Sequence, residues 1–157
     1  MKLSEALAER KEFNQRIKRL TERLLANLTI SEGEKPQEDP ADLRRKLTEA
    51  LEALRILTLR INFTNVSKQI DGTGETITEA IARKDMLQTE LGILRQVAQA
   101  IRQGSGRFLR GEVKQVVLIR AGDLEDEIDE KARELRELDG LLQAANFQVE
   151  LVELEPA

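Results

Sequence analysis

The side chains that could do chemistry here are amides, hydroxyls, carboxylates and guanidinium groups, because the chain contains no His and no Cys. The usual zinc ligand sets and nucleophiles activated by His are therefore excluded. Polar residues able to bind a ligand are densest in "RINFTNVSKQIDGTGETITEAI", residues 60–81. We predict no catalytic residue, no metal site and no cofactor, and we favour a non-enzymatic role over an enzyme.

An uncharged polar stripe is predicted along the helix that enters this stretch. At 100° per residue, one narrow sector of that helix holds Thr58, Asn62, Asn65 and Gln69. The sector lies between two apolar faces, so the amides require hydrogen-bond partners. We favour a buried network that fixes helix register and oligomer number. The alternative is a polar pocket that binds a small molecule or an anion, with further contacts from Arg60, Thr78, Arg83 and Asp85.

A basic connector, residues 103–122, is a second candidate site. Its candidate anion contacts are Arg107, Arg110 and Lys114. Binding of nucleic acid is not expected, because the whole chain has a net charge of −4, only 3% of its residues are aromatic, and it has no nucleic-acid-binding motif. The glycines of "DGTGE" lack the spacing and the Lys-Ser/Thr of a phosphate-binding loop, so they predict a turn between helices.

Four segments have the spacing of long amphipathic helices, at about residues 4–28, 41–70, 76–102 and 123–146. In the second, Leu and other apolar residues recur at heptad spacing between Leu43 and Ile61. The same helix has a second apolar line on nearly the opposite side, formed by Leu59, Phe63, Val66 and Ile70. A helix that is apolar on two faces favours self-association.

These elements predict a mainly α fold in a single helical domain, residues 1–157. We expect an elongated bundle of four long antiparallel helices with coiled-coil-like packing. Two runs that alternate or are rich in β-branched residues, 113–119 and 147–154, predict a short β element. Such a ribbon requires support from helices or from a second copy.

Several stretches resemble the septicolysin-like family of bacterial proteins. They are "MKLSEALAER", "RINFTN…DGTGETITEAIARKDML", "GEVKQV" and "RELRELDGLLQAANFQVEL". The resemblance implies a soluble, largely helical and self-associating protein of about this length, with no established activity. The residues that carry it are Arg60, Asn62, Thr64, Asn65, Asp71, Gly72, Thr78, Arg83, Asp85, Asn146 and Glu150.

The partner expected for this chain is itself, as a homo-oligomer, with a small ligand as the alternative. Membrane lysis, which the family name suggests, is the least supported function. The sequence has no Cys for a thiol-activated toxin and no obvious uncharged apolar hairpin for insertion. "MKLSEALAER" lacks the apolar core of a signal peptide, so a cytoplasmic location is expected.

Overall fold

The structure is a computed structural model that describes residues 1–104 and 116–153. It contains four α-helices within these ranges: α1 (Leu3–Ala26), α2 (Pro40–Ser67), α3 (Ile77–Gly104) and α4 (Ala121–Gln148). The prediction of a mainly α fold with four long helices is confirmed. Each observed helix begins and ends within about three residues of its predicted bounds.

The starts of α2 and α3 follow from local sequence. Asp39 is the N-cap of α2: its carboxylate accepts a hydrogen bond of 3.0 Å from the Ala41 N–H, and Pro40 occupies the first helical position. At α3, the Thr76 hydroxyl accepts from the Glu79 N–H at 3.2 Å. The Glu79 carboxylate accepts from the Thr76 N–H at 2.8 Å, which completes a capping box.

Backbone contacts divide the chain into two compact units, and unit 1 comprises Met1–Gln69 and Asn146–Ala157. In it α1 and α2 form an antiparallel pair. Arg23, in the last turn of α1, forms an ion pair with Glu38, just before α2 begins. The apolar core of this pair consists of Leu20, Leu43 and Ala50, packed against Ile17, Leu24 and Leu47.

Unit 2 comprises Ile70–Ala145 and contains α3 with most of α4. Ion pairs show that these two helices are antiparallel, because Glu90, which is later in α3 than Arg83 and Lys84, contacts a residue of α4 that is earlier than their partners. They are Lys84–Asp139 at 2.5 Å, Arg83–Glu134 at 3.6 Å and Lys131–Glu90 at 3.3 Å. Unit 2 begins with the "DGTGE" turn, where Gly72 and Gly74 have φ of +78° and +75°. That turn was predicted correctly.

The predicted β element is not found in the described residues. Residues 116–119 form no strand, and Phe147 and Gln148 extend α4 instead. The remainder of the second run makes one isolated antiparallel bridge, between Lys2 and Glu150. The two predicted runs therefore do not pair with each other where they are described, because 116–119 form no strand and the start of the second run belongs to α4. Residues 113–115 and 154 lie outside the described part.

Candidate functional site

Thr64 occupies a core position of α2, and its side chain is completely buried. It follows Leu57 and Ile61 at heptad spacing on the buried face of the helix. Its hydroxyl donates a hydrogen bond of 2.7 Å to the Arg60 carbonyl and accepts one of 2.9 Å from the Val152 N–H. The hydroxyl therefore satisfies a backbone donor 88 residues away in the sequence.

Arg60 holds the same C-terminal segment one turn earlier on α2. Its Nε donates to the Val152 carbonyl at 3.2 Å, and its guanidinium forms an ion pair with Glu153. The side chain is only 18% exposed, whereas that of Glu153 is 82% exposed. Together, Thr64 and Arg60 satisfy both backbone polar groups of Val152. We call residues 149–153, with these two anchors, the C-terminal clamp.

The other edge of the C-terminal clamp pairs with the first residues of the chain. The Leu3 N–H donates to the Val149 carbonyl and the Leu151 N–H donates to the Met1 carbonyl, both at 2.9 Å. The Lys2 ammonium lies 2.6 Å from the Glu150 carboxylate. A hydrogen bond from Lys2, assisted by one from the N-terminal ammonium, lowers the pKa of Glu150 below its ordinary value.

The polar stripe does not form a hydrogen-bonded network within the described residues. Asn62 and Gln69 are exposed, whereas Thr58 and Asn65 are half-buried. No described donor reaches Asn65 Oδ1, although that atom is shielded from solvent. All four residues lie in unit 1, as does Arg60. Thr58, Asn62 and Asn65 thus form a sector of α2, whereas Gln69 lies beyond the end of the helix at Ser67, and described protein groups leave the shielded acceptor without a partner.

The second apolar face of α2 is open to solvent in this chain. Phe63 is 55% exposed and Val66 is 62% exposed, while Leu59 is 37% exposed. Ile56, one turn earlier, is 43% exposed and extends the line. Ile70, the last residue of the predicted line, is buried in unit 2, beyond the end of α2. We call Ile56, Leu59, Phe63 and Val66 the outer line of α2.

The remaining candidate ligand residues lie in unit 2. Thr78 and Asp85 are exposed, and neither side chain forms a hydrogen bond or ion pair with the described residues. The Arg83 guanidinium contacts Glu75 at 2.7 Å and Glu134 at 3.6 Å, although its Nε, shielded from solvent, meets no acceptor among the described groups. Arg83 is thus held mainly by carboxylates of its own unit.

The candidate anion contacts Arg107, Arg110 and Lys114 lie outside the described residues. Within the described ranges, no group of His, Cys, Asp or Glu could hold a metal ion. No described helix is long and apolar enough to span a bilayer.

Similarity to known proteins places the chain in a family. Residues 10–151 match a family of unknown function, DUF6847. The chain belongs to this family. A crystal structure of a functionally unknown conserved protein from Corynebacterium diphtheriae is similar over 97% of this chain and 99% of that one, with 32% identity and a TM-score of 0.81. No curated protein matches the chain. Family membership supplies no activity, and the resemblance to the septicolysin-like family stays a prediction.

Sequence reasoning did not assign the C-terminal clamp. Thr64 is among the residues that carry the resemblance to the septicolysin-like family, but its partner is a backbone N–H far away in the chain. The available signal was its position: Thr64 continues the heptad spacing of Leu57 and Ile61. A hydroxyl at a core position requires a hydrogen-bond partner, because an unpaired buried polar group costs about 1–3 kcal/mol.

Proposed function

We propose that this chain is a non-enzymatic structural or interaction protein of the cytoplasm that self-associates through the outer line of α2. The observation that carries the proposal is the spacing of this line, whose residues lie three, four and three positions apart on the side of the helix opposite its buried seam. This is the spacing of a coiled-coil seam. A contiguous apolar line that faces solvent is characteristic of an interaction surface.

Self-association would cover side chains that the chain itself leaves exposed. Fully burying a Phe, Leu, Ile or Val side chain contributes about 1.5–3 kcal/mol relative to leaving it in water. The outer line offers four such residues, each already partly buried. The resemblance to the septicolysin-like family, which implies a self-associating helical protein, is consistent with this proposal.

Native mass spectrometry of the full chain tests the proposal. We expect the wild type to be an oligomer and Phe63→Glu to be mainly monomeric at the same concentration. A charge would replace a buried ring at the interface, so the dissociation constant should rise at least about tenfold, which corresponds to 1.4 kcal/mol. Ile93→Glu is the matched control, because Ile93 on α3 is 56% exposed, against 55% for Phe63.

Two outcomes would overturn the proposal. One is a wild-type chain that remains monomeric at high micromolar concentration. The other is an oligomer that Phe63→Glu leaves as stable as Ile93→Glu does. Circular dichroism of each variant separates loss of association from loss of folding.

The alternative proposal is a small-molecule or anion-binding protein that uses the polar stripe. The observation that favours it is Asn65 Oδ1, which is shielded from solvent and accepts no hydrogen bond from the described residues. A ligand with an N–H or O–H group would provide the missing donor. Native spectra of protein purified from its own host would then show an added mass, which Asn65→Leu should remove.

A further inference from the structure

We infer that two copies of this chain pair α2 against α2 in antiparallel orientation, with Asn62 of one copy beside Asn62 of the other near a two-fold axis. The inference rests on the self-association proposed above and adds the identity, orientation and register of the partner. It follows from three properties of α2: the spacing of the outer line, the charges beside it and the chemistry of Asn62.

The spacing of the outer line allows one antiparallel register to cover all four residues. In heptad notation Ile56 and Phe63 are a positions, and Leu59 and Val66 are d positions. In antiparallel coiled coils, a positions face d positions. With the two-fold axis beside residue 61, Ile56 faces Val66 and Leu59 faces Phe63 of the second copy. Ile56 then packs against the smaller Val66, and Phe63 packs against the more flexible Leu59.

The residues beside the outer line discriminate between the two orientations. One flank of α2 carries Arg55 and Asn62, and the other carries Arg60 and Ser67. In a parallel pair, unlike flanks face each other, so Arg55 of each copy would lie beside Arg60 of the other. In an antiparallel pair, like flanks face each other, and Arg55 lies beside the end of α2 in the second copy, away from its Arg60. The antiparallel orientation thus replaces these two Arg–Arg contacts with one, between the two Arg60 side chains, and it also opposes the two helix dipoles.

In the antiparallel pair the two Arg60 side chains would face each other across the axis, but each guanidinium is already directed toward the C-terminal clamp of its own chain. Its guanidinium contacts the Val152 carbonyl and the Glu153 carboxylate of the C-terminal clamp. Arg55 is similarly paired, with Glu52 at 2.7 Å. Since both flanking cations have carboxylate partners within the chain, the surface offers little to a strongly charged partner. An identical uncharged and apolar face is its best complement.

Asn62 gives this pairing a polar contact at its centre. The side chain is exposed and makes no hydrogen bond within the described residues. An amide has both a donor and an acceptor, so two Asn62 side chains related by a two-fold axis can close two hydrogen bonds with each other. A polar pair beside the apolar seam favours this register, because a shifted register separates the two amides.

Distances between spin labels test the orientation without altering the seam or Asn62. The chain contains no Cys, so Thr48→Cys and Ser67→Cys each provide one labelling site on an exposed position of α2. At 1.5 Å per residue, antiparallel pairing about residue 61 separates two labels along the helix by about 39 Å at position 48 and about 18 Å at position 67. Parallel pairing predicts short, nearly equal distances at both.

The outcomes separate this inference from the proposed function. A clearly longer distance at position 48 than at 67 supports antiparallel pairing. Equal short distances overturn the orientation but leave self-association intact. If no intermolecular dipolar signal is seen and the mass is monomeric, both the antiparallel pairing and the proposed self-association are overturned.

A second measurement addresses Asn62 itself. Asn62→Asp would bring two carboxylates together across the axis, so the dimer should dissociate at least several-fold more readily at pH 7. It should recover as the carboxylates are protonated near pH 4. Dissociation that does not change with pH would contradict the contact between the two Asn62 side chains.

Discussion

Thr64 is a polar residue at a core position of a leucine-rich helix, and its role is to satisfy a distant backbone donor. Its hydroxyl bonds to the Arg60 carbonyl on one side and to the Val152 N–H on the other. The contact ties the C-terminal segment to α2 from a position that is 0% exposed. Because the segment also pairs with residues 1–3, this one hydroxyl stabilises the meeting point of both ends of the described chain.

We expect Thr64→Val to lower the free energy of unfolding by about 1–3 kcal/mol. Val has nearly the same shape, so the main change is a buried Val152 N–H without a partner. Urea denaturation would measure the effect. Thr48→Val is the control, since Thr48 lies on the same helix and bonds to the carbonyl four residues earlier, but is exposed. Its effect should stay within about 0.5 kcal/mol. Equal urea midpoints for Thr64→Val and Thr48→Val would contradict the anchoring role of Thr64.

At the scale of helices, ion pairs complement the apolar seam between α3 and α4. Lys131 lies at a seam position of α4, with a side chain 28% exposed, and contacts Glu90 of α3 at 3.3 Å. The hydrogen bond and charge of Glu90 raise the pKa of Lys131. With Arg83–Glu134 and Lys84–Asp139, this pair marks one antiparallel alignment of the two helices. A shift of either helix by one turn would separate all three pairs.

Exchanging the charges of one pair tests this role. Lys131→Glu should destabilise unit 2, because the new carboxylate would lie near Glu90 and Glu134. The double variant with Glu90→Lys should be more stable, by about 0.5–1 kcal/mol, than the sum of the two single effects predicts.

Glu127→Lys is the control for that exchange. Glu127→Lys changes the net charge by the same amount as Glu90→Lys, but it acts at an exposed position of α4. Combined with Lys131→Glu, it should therefore restore less stability. Thermal unfolding of the single and double variants measures the change in stability that each substitution or combination causes. Strict additivity of Lys131→Glu and Glu90→Lys would show that the contact does not contribute to the pairing of α3 with α4.

At the scale of the whole molecule, each compact unit has its own pair of helices and its own buried residues. Unit 1 buries one face of α2 and leaves the outer line exposed. The proposed association would bury that line, so folding and assembly would be coupled. A second copy that binds only the folded chain stabilises the folded state by mass action.

We therefore expect the melting temperature of the wild type to rise with protein concentration. Differential scanning calorimetry over a hundredfold range of concentration would show the rise. Phe63→Glu should abolish the dependence, because it removes the shared interface, whereas Ile93→Glu should keep it. A wild-type melting temperature that is independent of concentration would contradict association of the folded chain.

Local sequence determined the helices of this protein, because each signal acts within one or two turns. The Asp39–Pro40 start, the Thr76–Glu79 capping box and the positive φ of the "DGTGE" glycines were all predictable. Heptad spacing also identified the two apolar faces of α2. Whether the outer line faces solvent could not be read from spacing, since a helix that is apolar on two faces is either enclosed or part of an interface.

The tertiary structure decided which groups meet. Residues 147–154 alternate like a strand, yet Phe147 and Gln148 join α4, and the next residues bond to Thr64, Arg60 and the start of the chain. Nothing local specifies a hydrogen bond across 88 residues. Such a contact forms only when the packing of helices brings a buried hydroxyl and a free backbone N–H together. For this reason the sequence located the polar stretch at residues 60–81, and the fold assigned Thr64 its partner.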